Sequence, residues 1–140
     1  MREIKFRGKS RGTGKWLYGQ LFQYGSRASS PMCICCTAKI SFKDALDYYE
    51  VDQGTIGQFT GLTDCNGNHI YEGDIIRSMI DGSRPVYHVV FWDNRSASFR
   101  ARLVKQGKPF DCCGIFQDWI NKFNKEIVGN VYDNKEFLEE

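Results

Sequence analysis

No stretch of this sequence approaches the ~20 consecutive apolar residues needed to cross a bilayer, and its first residues, Met1-Arg2-Glu3-Ile4-Lys5, lack the apolar run of a secretory leader. A soluble, cytosolic protein with no membrane partner is therefore expected. Large net charge is also lacking: nineteen Lys and Arg against seventeen Asp and Glu leave only +2, so charge alone selects no partner. The low hydrophobicity of a disordered chain is absent as well, because 41% of residues are hydrophobic and 14% aromatic. What is left is a globular chain of 140 residues, long enough to bury a core without a staple and short enough to be read as one domain, 1–140.

Cysteine, by contrast, is plentiful. Without a secretion signal, Cys33, Cys35, Cys36, Cys65, Cys112 and Cys113 are read as reduced thiols. Charge is unevenly spread. Residues 1–30 hold Arg2, Lys5, Arg7, Lys9, Arg11, Lys15 and Arg27 against Glu3, whereas the end holds Glu126, Asp133, Glu136, Glu139 and Glu140 against Lys135. Such a front and tail can meet within one molecule or between copies, which leaves a homo-oligomer open.

Alternation of apolar and polar residues dominates the chain and predicts strands. Ile4 and Phe6 alternate with charged neighbours, residues 8–14 read as a basic, glycine-rich tip, and residues 15–24 return as a second strand with Trp16, Tyr18 and Phe22 on one face. A hairpin over 1–24 follows, then a mobile Ser-rich linker over 25–31 and a Cys-rich strand over 32–38. Ser41 and Asp44 have the spacing of a cap for one helical turn, with a strand expected over 48–51. Asn66-Gly67 predicts a tight two-residue hairpin between strands at 56–62 and 69–71. Residues 85–92 are apolar on both faces, which suits the middle of a sheet. The next strand exposes Arg100 and Arg102 on one side. Asp81-Gly82 and residues 107–109 read as breaks. Ile115, Phe116, Trp119, Ile120 and Phe123 have helical spacing and predict one amphipathic helix, followed by a strand over 126–132 with a bulge at Gly129. These elements compose a mainly β fold: a small SH3-like or related β-barrel with extra strands, its core at about 48–132, and a helix near the C-terminus.

Three segments carry a resemblance: MREIKFRGKSRGTGKWLYGQLF at the start, GQFTGLTDCNGNHIYEGDII in the middle and EIVGNVYDNKEFL at the end. Together they cover less than half of the chain, and they resemble the YopX-like family of bacteriophage and prophage proteins. The resemblance implies a mainly β phage accessory protein. It implies no catalytic residue, because the family brings no established activity with it.

The residues themselves offer three chemistries. The tip GKSRGTGK invites a phosphate-loop reading, but position five before Gly14 is Lys9 and a strand follows, so the motif fails. A looser electrostatic contact with nucleic acid remains, built from Lys9, Arg11, Lys15 and Trp16 with Tyr18 and Phe22, and from Arg100 and Arg102. Cys33 and Cys36 have the spacing of half a zinc site, and Cys65 with His69 offers a second half. Against zinc, a strand points Cys33 and Cys36 to opposite sides. Asp64, Glu72 and Asp74, with His69 or His88 as base, are the raw material of a metal-dependent hydrolase, although turn chemistry accounts for the acids equally. The reading reached from sequence is a non-catalytic binding module for an unidentified host or phage protein or for nucleic acid, with no resident cofactor.

Overall fold

The computed structural model describes residues 2–36, 39–79, 82, 84–104 and 112–138. The end of the Cys-rich strand at Ala38, the turn residue Asp81, the break over 107–109 and the terminal Glu139 and Glu140 lie outside the described residues. The chain divides into two compact units, Met1–Phe59 and Thr60–Glu140. Its strands form antiparallel sheets of order β3-β2-β1-β4-β5 and β10-β6-β7-β8-β9. The mainly β class is as expected; closure into an SH3-like barrel is not among the described ladders, which leave both sheets open. No described helix is long and apolar enough to cross a membrane.

In the first unit, β1 (Phe6–Lys9) pairs with β2 (Trp16–Gln23), and β2 pairs with β3 (Met32–Cys35). The first strand runs further than expected, taking in Gly8 and Lys9. Gly8 has no side chain, and that is the reason: a Cβ there would lie 3.1 Å from both Ile34 Cδ1 and Val51 Cβ. Its absence lets two fully buried side chains pack onto the strand. Residues 25–31 join β2 to β3 through hydrogen bonds from Tyr24 N to Pro31 O at 2.9 Å and from Ser30 N to Arg27 O at 2.9 Å.

The expected single helical turn is an eight-residue helix, α1 (Phe42–Tyr49). Ser41 caps it by accepting from Asp44 N at 3.1 Å. The strand expected over 48–51 is corrected accordingly, since Tyr48 and Tyr49 finish the helix. Ala45, Leu46 and Tyr49 recur at helical spacing on its more buried side, with Ala45 fully enclosed. After it, Glu50 and Val51 make isolated bridges to Cys33 and Ser10. Asp52 then caps a 3-10 turn over Gln53–Thr55.

The strand β4 (Gly57–Thr63) begins beside β1 and continues into the second unit, where it pairs with β5 (His69–Tyr71). The loop between them is longer than the Asn-Gly dipeptide predicts. Asn66 keeps negative φ and only Gly67 of the pair is left-handed, at 82°. Asp64 N donates to Asn68 O at 2.9 Å, enclosing a three-residue loop with Gly at the left-handed position.

The second sheet comprises β6 (Asp74–Ser78), β7 (Val86–Asp93), β8 (Ser98–Leu103), β9 (Cys112–Gly114) and β10 (Glu126–Asn130). β7 is central, as its two apolar faces require. One face carries Ile76, Val90 and Ile127 and packs with Ile70 and Ile120, joined by Leu62, Ile115 and Trp119. The register of β10 against β6 shifts between Ile127 and Gly129, the bulge expected there. The edge strand β9 is absent from the sequence reading.

The C-terminal helix is shorter than its apolar spacing predicts. α2 spans only Gln117–Asn121. Ile120 is buried, but Phe116 and Phe123 are 59% and 42% exposed. Phe123 and Asn124 take positive φ, 62° and 49°, and turn the chain away. Lys125 then folds back: its ammonium donates to Trp119 O at 2.8 Å and to Lys122 O at 3.0 Å, satisfying helix-end carbonyls.

Candidate functional site

The tip of the β1–β2 hairpin holds an open cavity of about 340 Å³ lined by Lys9, Ser10, Arg11, Gly14 and Asp52. Strand pairing sets Lys9 opposite Trp16, and the lysine ammonium lies 5.6 Å from the ring centroid. Arg7 stacks on the same ring at 4.7 Å. Neither contact needs tertiary folding beyond the hairpin, because residues facing each other across an antiparallel pair share a sheet face. Tyr18, two residues along that face, is 52% exposed. Lys15 is exposed at the tip, and Phe22 is half-buried.

The backbone of the tip turns inward. Ser10 N donates to Lys15 O at 2.8 Å, Arg11 N to Glu50 O at 2.9 Å and Gly14 N to Ser10 O at 2.8 Å. Thr13 N donates to Ser10 Oγ and Lys15 N to Thr13 Oγ1, each at 3.2 Å. A phosphate loop needs several amides pointing at the anion; here five of them are committed within the protein, and recognition is left mainly to side chains. Arg11 reaches Glu50 at 3.5 Å, with its side chain 64% exposed. Asp52 Oδ1 accepts from Gly54 N at 3.1 Å.

Of the sequence candidates, Lys9, Arg11, Lys15 and Trp16 are gathered at this tip. Ser10, Gly14 and Asp52 were missed. Asp52 belongs to an Asp-Gln-Gly-Thr segment whose capping signal is legible, but the hydrogen bond that brings it to the tip, Asp52 N to Lys9 O at 2.8 Å, spans distant parts of the chain. Arg100 and Arg102 belong to the second unit. They share a face of β8, where Arg102 is exposed and Arg100 lies 3.7 Å from Asp93. Hydrogen bonds from Arg95 N–H and the Ser96 hydroxyl, helped by Arg100, hold the Asp93 carboxyl below its ordinary range.

The zinc candidates divide between the units: Cys33 and Cys36 in the first, Cys65 and His69 in the second. Cys33 is buried and its thiol donates to Ala45 O at 3.3 Å; Cys36 is exposed. Burial, followed by the charges of Glu50 and Cys35, pushes the Cys33 thiol up to about 11. It is protonated at neutral pH. Among the described residues, no three His, Cys, Asp or Glu side chains gather where they could hold a metal ion.

The acids of the central segment are engaged in backbone chemistry. Asp64 Oδ1 accepts from Asn66 N and Asn68 N, both at 2.9 Å, and Oδ2 accepts from Ile127 N at 3.0 Å. Asp74 Oδ2 accepts from Tyr71 N at 2.8 Å across the turn that holds Glu72 and the left-handed Gly73. His88 packs edge-on against Trp119 with centroids 5.3 Å apart. Burial, then the charge of Lys125, pulls its imidazole down to about 4. Its Nδ1 has no hydrogen-bond partner among the described residues.

Among solved structures, the crystal structure of protein EF1440 from Enterococcus faecalis is similar over 99% of this chain and 100% of that one. The TM-score is 0.55 and the identity 22%, a likeness of fold alone. Among curated proteins none matches. A family model described as YopX protein matches residues 5–139. With nearly its whole length matched in this way, the chain belongs to the YopX family.

Proposed function

We propose that this protein is a non-catalytic binding module that contacts a polyanion, nucleic acid before others, through the basic β1–β2 hairpin. The observation that carries this reading is the cavity at the hairpin tip, with Lys9 and Arg11 in its wall and Lys15, Trp16 and Tyr18 beside it. Cations supply the sequence-independent attraction to phosphates, and an exposed tyrosine next to them offers a stacking surface. Metal-dependent hydrolysis finds less support, since Asp64 and Asp74 spend oxygens on backbone amides.

Within this reading the chain is a phage or prophage accessory protein working in a bacterial cytoplasm, as the family resemblance implies. Closure into an SH3-like or related barrel, expected with its core at about 48–132, is proposed as well. What supports it is that residues 50 and 51 bridge both to β3 and to the end of β1.

Fluorescence anisotropy with labelled single-stranded oligonucleotides tests the proposal. Binding at low salt is expected, with log K falling linearly against log salt, and the double substitution Lys9→Gln and Arg11→Gln is expected to weaken it at least about tenfold. No binding at low salt, or binding indifferent to the double substitution, overturns it.

A further inference from the structure

The cavity wall combines two cations with a carboxylate, Asp52. A site for phosphate alone gains nothing from that acid, whose charge repels the anion. A ligand that carries a hydroxyl next to its phosphate does gain. Asp52 is set up to accept one: Oδ1 is held by Gly54 N–H at 3.1 Å, and Oδ2 carries no hydrogen bond among the described residues. Among the described residues the Arg11 side chain is tethered by one partly exposed pair, with Glu50 at 3.5 Å, which an incoming phosphate can displace. The amides of Ser10, Arg11, Thr13, Gly14 and Lys15 are already bonded within the protein, so recognition falls mainly to these side chains. At about 340 Å³ the cavity matches a small-molecule-sized group and is too small for a duplex.

We infer that this cavity takes one ribonucleotide unit of a single strand, its phosphate on Lys9 and Arg11 and its ribose hydroxyl on Asp52. The inference rests on the hairpin being the polyanion contact and adds the ligand's sugar to it. The 2′-hydroxyl is the group that separates RNA from DNA, and a carboxylate accepting from ribose is a recurring way to read it.

The test compares two labelled single strands of one sequence, ribose and deoxyribose, on the wild type, on Asp52→Asn and on the Lys9→Gln, Arg11→Gln double variant, with circular dichroism checking each fold. Asp52→Asn keeps an oxygen for Gly54 N–H but replaces the free acceptor with an NH₂ donor. The wild type is expected to bind the ribose strand about five- to tenfold more tightly, as one good hydrogen bond allows. Asp52→Asn is expected to lose that preference while binding the deoxyribose strand as well or better, because a negative charge has gone. Equal wild-type affinities, or a preference that survives in Asp52→Asn, overturn the inference. If the wild type shows no preference but the double variant loses both strands, the hairpin contact stands and the ribose reading falls. If neither strand binds the wild type, both fall.

Discussion

Asp64 is only 4% exposed, yet it is a carboxylate, and the three backbone N–H groups that it accepts are what make its burial tolerable. Two of those amides belong to its own turn, so its role in the loop was legible from the residue type. The third belongs to Ile127, 63 residues away, and was not. Asp64→Ala is expected to cost about 3 kcal/mol by leaving buried donors unpaired, measured as a lower denaturation midpoint; Asp64→Asn, which keeps one accepting oxygen, should cost less. His88 makes stability depend on pH. Its folded value of about 4 lies below the ordinary 6.5, so the unfolded chain binds the proton more readily. Stability should therefore fall as pH is lowered from about 6.5 towards about 4, by up to about 2 kcal/mol for a partly accessible ring. His88→Gln should flatten the wild-type curve over that window, seen in thermal melts taken across it.

At the scale of elements, β2 shows how one residue sets a ladder. Gly19 has φ 147°, and a Cβ there would run into the backbone of Cys35, with the carbonyl carbon 2.8 Å away. Backbone cannot swing aside as a lysine tip would. Gly19→Ala is expected to cost about 2–4 kcal/mol, through strain and overpacking, and to lower the melting temperature of a protein that still reaches its fold. Alternation announced β2, and apolar residues on both faces announced β7 as central. The helices were less legible. α1 outlasted its single expected turn because its own buried stripe supports it, whereas α2 stopped early because Lys125 closes its end. Apolar spacing counts side chains and cannot see a lysine arriving from beyond the helix.

For the whole molecule, polyanion binding carries a charge count. For a single strand the salt slope is roughly −0.7 per neutralised phosphate, so removing Lys9 and Arg11 together should shallow it by about 1–2. A slope left unchanged would mean that the hairpin is not the contact. Half of the candidate surface could be found from sequence, since Lys9, Arg11, Lys15 and Trp16 lie within one hairpin. Its other half could not. Asp52 reaches the tip through a hydrogen bond to Lys9 O from a segment far along the chain.

Sequence alone determined the class of the fold, the hairpin and its basic tip, the central place of β7 and the bulge at Gly129, because these depend on alternation, on turn residues and on neighbours close along the chain. Tertiary structure alone decided where α2 ends, that Asp64 reaches Ile127, and that Asp52 stands at the basic tip. Two of those are contacts between residues far apart in sequence, and the helix end is set by a lysine folding back from just beyond it; only the packed chain can place them together.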